Sequence, residues 1–191
     1  MENKLYKMIQ NYSTNIEQEK SDKQEMLYFI KHNTNVLSRT NSVGHFTASS
    51  WIVNKEHTKV LMVFHNIYKS FSWTGGHNDG DADFLKVAKK EAREETGIKN
   101  IKLINNDIFS LESLTVDGHI KNGKYVSSHL HFNLTYLFEA NENEPLIIKK
   151  DENSDVRWIP IKDLELEVNE RWMKDWIYSK LVRKLNDLDN Q

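Results

Sequence analysis

The chain contains no cysteine. Disulfides, thiol nucleophiles and cysteine-based zinc sites are therefore excluded, and a reducing, cytoplasmic setting is the expectation. No stretch approaches the roughly 18 consecutive apolar residues of a membrane span. The N-terminal MENKLYKMIQNY is mixed charged and polar and lacks the apolar core of a secretory signal. There is no excess charge of either sign: 26 Lys and Arg face 28 Asp and Glu, a net charge of -2. Without a global basic field, nucleic acid is not the expected partner. No internal repeat or low-complexity tract is visible. The length, 191 residues, suits one domain with an appended helical segment.

Two patterns divide the chain. Residues 1–40 read as an N-terminal helical extension, and 41–191 as the main domain including a C-terminal helix. Leu5, Met8, Ile9 and Tyr12 follow i, i+3, i+4, i+7 spacing. Ser21-Asp22 could cap a second helix bearing Met26, Phe29 and Ile30. These faces should pack on the main domain, or alternatively form a homodimer contact. From Phe46 the period becomes two. Strands are expected over 46–53, 59–64, part of 101–114, 128–139 and 156–160. Asp117-Gly118 and Asn122-Gly123 mark a loop or hairpin tip. A last helix is expected over 169–188, with Met173, Ile177, Leu181 and Leu185 at intervals of four.

The most specific segment is Gly75 to Ile98, GGHNDGDADFLKVAKKEAREETGI. At about 100° per residue, Phe84, Leu85, Val87, Ala88 and Ala92 share one apolar arc. Lys86, Lys89, Lys90 and Arg93 lie on the opposite side. Glu91, Glu94 and Glu95 overlap the inward arc. Glu91 and Glu95 are a like-charged i,i+4 pair, costing roughly 0.2–0.5 kcal/mol even when exposed and more when buried. A hard divalent cation removes that cost, because Mg²⁺ prefers carboxylate, carbonyl and water oxygens. An acidic patch at an ordinary helix end, with Gly97 following it, is the plainer alternative. The loop before the helix favours the cation. Gly75-Gly76 can turn tightly and approach a ligand, and Asp83 is placed to cap the helix.

On these residues the segment resembles the Nudix box: Gly, five residues, Glu, seven residues, Arg-Glu, an aliphatic residue, any residue, Glu-Glu, any residue, Gly, aliphatic. Gly76 begins the box, Lys90-Glu91 takes the Arg-Glu position, Ala92 the aliphatic slot, Glu94-Glu95 the pair, and Gly97-Ile98 the end. Two positions depart. Ala82 stands where the early Glu is expected, and Lys90 keeps the charge of the Arg but not its planar fork. The wording GGHxDGDxDxLxVA looks like a bacterial branch that lacks the early Glu. The resemblance implies an α/β fold, a Nudix-like α/β/α sandwich with a mixed central sheet. It also implies Mg²⁺ (or Mn²⁺) held by Glu91, Glu94, Glu95 and the Gly76 carbonyl.

Beyond the box, strand 128–139 alternates. His129, His131, Asn133 and Thr135 share one face, which suggests a lined cleft, since a central strand is usually apolar on both faces. His129 and His131 are candidates to contact substrate phosphate or a metal's water shell. A bare His-x-His could also take zinc, but no third nitrogen or sulfur ligand is evident nearby. His77 and Asp79 sit in the box loop, next to the expected phosphates. Trp51 and Trp73 are candidates to stack on a base or sugar, with core packing as the alternative. Glu152 lies in a loop from which relatives often send a further acid, and is a candidate general base or ligand. The expected activity is divalent-metal-dependent hydrolysis of a P–O–P bond in a small nucleoside-diphosphate-X compound, with Glu94 or Glu152 taking the proton and Glu95 in the catalytic set. The alternative is a nucleotide-binding or regulatory protein on the same fold that does not cleave.

Overall fold

The computed structural model describes residues 2–105, 107–121 and 123–190. The N-terminal segment forms α1 (Glu2–Asn11) and α2 (Glu17–His32). β1 (Gly44–Val53), β2 (Lys59–His65), β3 (Ser70–Ser72) and β4 (Thr74–His77) lead into α3 (Phe84–Thr96). Then come β5 (Ile101–Leu103), β6 (Ser110–Val116), the hairpin β7 (His119–Lys121) and β8 (Lys124–Val126), and the long β9 (His129–Ala140). β10 (Asn153–Pro160), a short α4 (Leu164–Glu167), a π-helical segment (Met173–Tyr178) and α5 (Ser179–Asp189) complete the chain.

The sheet is mixed. Its main path is β10-β2-β1-β9-β5, and β3, β4 and β6 add to β2, β1 and β9 respectively. β1 and β9 run parallel at its centre, with Gly44 opposite Leu130 and Val53 opposite Glu139. β4 lies antiparallel to the other edge of β1, with Gly75 opposite Ser49 and Gly76 opposite Ala48. Strand alternation sends even-numbered β1 and β9 residues to one side and odd-numbered ones to the other. Phe46, Ile52, Phe132 and Phe138 meet α3, α1 and α2 in one core, which includes Leu5, Ile9, Met26 and Phe29. Trp51, Val53 and Leu137 meet the C-terminal helix in a second core with Tyr178, Leu181 and Leu185. Helices thus cover both faces of the sheet, and the N-terminal helices pack on this same chain.

Several elements differ from the reading of the sequence. Ser21 and Asp22 lie inside α2, which begins at Glu17. Its preceding turn is held instead by Thr14, whose hydroxyl accepts from the Ile16 N–H at 3.1 Å. The segment 101–114 splits into β5 and β6, with residue 106 outside the described residues. Of the pair expected at the hairpin tip, Gly123 adopts φ 75°, whereas Asn122 lies outside the described residues. The strands β3 and β4 were not legible as period-two runs, because they are three and four residues long.

The polar face of β9 is only partly a cleft lining. Asn133 and Thr135 are buried and donate to Glu112 on β6 at 2.9 and 2.7 Å. Glu112 in turn accepts from the buried Lys180 at 3.0 Å. Lys180 stands 3.6 Å from Glu19 of α2, and Lys184 donates to the same carboxylate at 2.9 Å. Burial pushes the Glu19 carboxyl up, but Lys180, Lys184 and the hydroxyls of Ser110 and Thr14 outweigh it and hold it below the usual carboxylate range. One buried ionic chain therefore joins α2, β6, β9 and α5. Removing Lys180 strands the buried Glu112 carboxylate and leaves Glu19 to Lys184 alone. Lys180→Met is expected to cost about 3–5 kcal/mol, read as a lowered urea midpoint. A loss under about 1 kcal/mol would contradict the role of Lys180 as their common counter-ion.

Candidate active site

α3 forms where the pattern placed it. Phe84, Val87, Ala88 and Ala92 are buried, while Lys86, Lys90 and Arg93 face solvent. Asp83 caps the N-terminus, its side chain accepting from the Lys86 N–H at 3.0 Å. Gly97 closes the helix in the left-handed region, φ 73°, donating to the Arg93 carbonyl. β1 crowds Gly75 and the Glu91 side chain of α3 crowds Gly76, so a side chain at either position would displace a neighbour. A Cβ on Gly75 would stand 2.3 Å from the Ser49 hydroxyl, and one on Gly76 2.6 Å from Cδ of Glu91. Real Cβ contacts do not occur at these distances. The freedom in use here is the missing side chain, since neither residue is among the positive-φ glycines.

The three helix carboxylates sit in different environments. Glu95 is 5% exposed. Its Oε1 accepts from the Gly75 N–H at 3.0 Å and its Oε2 from the Asn153 amide at 3.5 Å. Burial, and then the nearby Glu91 and Glu152 carboxylates, push its pKa up to about 8. Glu91 lies against Gly76, with its carboxylate 3.1 Å from the Lys90 ammonium. Glu94 is exposed, 3.5 Å from the same ammonium. Lys90 thus serves as a cationic neighbour to both, as single contacts and without a bidentate fork. Glu152 is half-exposed and paired with Lys149 at 2.8 Å. It adjoins Asn153, which brings its charge into the field of Glu95. Glu91 against Gly76 and Glu152 beyond Asn153 therefore both act on Glu95, and Glu94 is exposed.

This donor set fits a hard divalent cation. It offers carboxylate oxygens and the backbone of Gly76, with no sulfur or nitrogen among them. A buried carboxylate whose only hydrogen-bond donors are two neutral groups is costly unless protonated or balanced by a cation.

The other candidates divide. His77, at the end of β4, lies beside His45 and His131, with ring centroids 5.0 and 4.9 Å away. His129 lies 5.0 Å from His131 by the same measure, and their Nε2 atoms are 3.2 Å apart. Burial, and then repulsion from His77, His45 and His129, push the His131 pKa down to about 2. Burial likewise holds His45 below its ordinary value. Asp79 adopts φ 46° and forms a two-pronged pair with Arg39, one arm at 2.8 Å. The Arg39 hydrogen bond holds the Asp79 carboxyl below the usual range. Trp51 is not brought to this site. It is fully buried in the second core and stacked on Tyr178 at 5.5 Å, because its odd position on β1 points it toward the C-terminal helix. Trp73 shares that core, edge-on to Tyr178.

Four residues at the site carry no signal in the segments that led to it. Arg39 and Lys149 lie in connecting loops, Asn153 reaches Glu95 from β10, and His45 precedes the strand read from Phe46. Only His45 had a usable signal, being two residues before Thr47 and hence on the same strand face.

The family model of the NUDIX domain matches residues 44–181. No curated protein sequence matches the chain. Among solved structures, the chain is similar to a C. elegans Ap4A hydrolase binary complex, at 18% identity over 76% of this chain and 97% of that one, TM-score 0.55. It is also similar to a NUDIX-family hydrolase from Clostridium perfringens, at 22% identity over 75% and 97%, TM-score 0.52. A MutT protein from Methanosarcina mazei Go1 shows 15% identity over 76% and 97%, TM-score 0.52. At such identities the likeness is one of fold.

The Glu95 environment generates a stability prediction. Its folded pKa, about 8, lies above the ordinary 4.5. The metal-free fold therefore keeps its full stability below pH 4.5 and loses some as pH rises through about 8. Glu95→Gln removes that loss. In EDTA its thermal midpoint is expected to exceed wild type by several degrees at pH 8.5, at about 2–4 °C per kcal/mol, and to converge with it near pH 4.5. Equal midpoints at pH 8.5 would contradict the burial argument.

Proposed function

The chain belongs to the Nudix family, whose members hydrolyse pyrophosphate bonds, and on that footing we propose that it is a divalent-metal-dependent hydrolase of a small nucleoside-diphosphate-X compound. The observation that carries the proposal is Glu95, buried beside the glycine strand β4 in the field of the Glu91 and Glu152 carboxylates. An ordinary solvated acidic patch would not bury the carboxylate that has the weakest local compensation.

In this reading Glu91, Glu94 and Glu95, with the Gly76 carbonyl, would hold Mg²⁺ or Mn²⁺. When bound, such an ion neutralises phosphate oxygens and lowers the pKa of a water. The rest of the work belongs to the chain. Gly75 and Asn153 hold the Glu95 carboxylate in one orientation through their N–H groups. The absent side chains of Gly75 and Gly76 let β4 lie against β1 and α3, so that Glu91 and Glu95 share one small volume with the backbone of Gly76. A water oxygen attacks one phosphorus of the bridge, the bridging P–O bond breaks, and the leaving phosphate departs. The proton of the attacking water goes to a carboxylate at the rim. Glu94 and Glu152 are the candidates, both being partly exposed. Positioning and electrostatics supply most of the barrier reduction in phosphoryl chemistry. Lys149 and Arg39, both in the field of the Glu91 and Glu152 carboxylates, would be the cations available to phosphate oxygens.

The group X is read by loops that the box does not determine. The Ap4A hydrolase relative makes dinucleoside polyphosphates one member of a panel that includes ADP-ribose, nucleoside triphosphates and nucleotide sugars. Phosphate or nucleotide release from that panel is expected with Mg²⁺ or Mn²⁺ and not with EDTA. Glu95→Gln is expected to lose at least about 10²-fold in turnover. The general base is whichever of Glu94 and Glu152, when replaced by Gln, abolishes the acid-side limb of the pH–rate profile. Absence of turnover on every compound, from folded protein that binds metal, would replace this proposal with a non-catalytic nucleotide-binding role.

A further inference from the structure

Three neighbouring strands each present an imidazole to the same face of the sheet. His45 on β1 is directly opposite His131 on β9 in the parallel register. His77 on β4 is opposite Thr47, the next same-face residue of β1. One ligating nitrogen from each of the three lies within 4.8 Å of the other two. His129 borders the group, its Nε2 hydrogen-bonded to that of His131 at 3.2 Å. Two nitrogens bound to one tetrahedral zinc at 2.0–2.1 Å stand about 3.3–3.4 Å apart. The nitrogens of His45, His77 and His131, within 4.8 Å of one another, would draw in to that spacing by side-chain rotation.

The surroundings point to a ligand rather than to packing. His45 is 3% exposed, and its Nε2 is buried without a hydrogen-bond partner. Its other nitrogen lies 3.3 Å from the Asn41 carbonyl. That backbone contact fixes one nitrogen and leaves Nε2 aimed into the cluster, the arrangement by which a ligating histidine is commonly oriented. The nearest charged groups, Arg39 and Asp79, are paired with each other. Below the cluster, Thr47 and Ser49 donate to Asn133 at 3.0 and 2.8 Å. Among the described residues the cluster offers imidazole nitrogen and no carboxylate ligand, unlike the all-oxygen set around Glu95.

We propose that His45, His77 and His131 form a binding site for a borderline transition-metal ion of the Zn²⁺ class, different in donor chemistry from the carboxylate site. Imidazole suits such ions, whereas Mg²⁺ takes oxygen. Because His77 follows Gly76, an ion held there ties the end of β4 to β1 and β9. The inference does not depend on the hydrolase reading.

The test uses the full chain without a histidine tag, dialysed against Zn²⁺ with an excess of Mg²⁺ and then against metal-free buffer. About one equivalent of zinc by elemental analysis is expected, with a raised thermal midpoint. Co²⁺ in its place is expected to give the strong visible bands of a low-coordinate nitrogen site. His77→Gln and His131→Asn are expected to weaken zinc binding at least about tenfold. Glu95→Gln is expected to retain zinc while losing turnover, so the two proposals fail separately. No retained zinc in folded wild type overturns the site. So does zinc that survives in both histidine variants but disappears in Glu95→Gln. Should His131→Asn unfold by circular dichroism, His77→Gln and the wild-type Co²⁺ spectrum decide, and a weak octahedral spectrum overturns the proposal.

Discussion

The close approach of β4 to its two neighbours is the constraint on which the site depends. Gly75 lies where any side chain would strike Ser49, and Gly76 where it would strike Glu91. That proximity lets the Gly75 N–H reach Glu95 across the width of the helix–strand contact. It also sets the Gly76 backbone beside Glu91 and delivers His77 to the face shared by His45 and His131. Three consequences follow from two missing Cβ atoms. The fold thus brings together what local stability would keep apart, including carboxylates that burial and mutual repulsion disfavour.

A second constraint lies on the same sheet face, deeper in the molecule. Glu112, Lys180, Glu19 and Lys184 alternate in sign from β6 to the C-terminal helix and α2. Their geometry ties the N-terminal helices to the domain by charge as well as by the apolar contacts of Leu5, Ile9, Met26 and Phe29. A buried ionic chain of this kind contributes little net stability compared with a well-packed apolar one. A different placement of α2 would take the Glu19 carboxylate away from Lys180 and Lys184, which ties the position of α2 to that of α5. Along the odd-numbered face of β9 the chemistry therefore changes from imidazoles at His129 and His131, through the amide and hydroxyl of Asn133 and Thr135, to hydrocarbon at Leu137.

The family, the helix α3 with its caps, and the inward placement of Glu91 and Glu95 were legible because they rest on short-range periodicity. Asp83, Phe84, Ala88, Ala92 and Gly97 do in the structure what their spacing implies. Trp51 is the instructive failure. Indole is suited equally to stacking on a base and to packing in a core, and only its odd position on β1, opposite Leu137, consigns it to the second core. The extent of α2 was misjudged for a related reason. The start signal at Ser21-Asp22 was overridden by an N-terminal turn that Thr14 and the long-range pairing of Glu19 stabilise.

Local sequence determined the loop–helix that carries the carboxylates, because helix geometry converts spacing within thirteen residues into a single face. Only the tertiary structure decided what surrounds them. Asn153 arrives from 58 residues away to hold Glu95, and His45 meets His131 through a parallel strand pairing that no local pattern encodes. Register between distant strands is set by which faces are buried across the whole sheet. Residues that act together through that register are therefore invisible until the sheet is assembled.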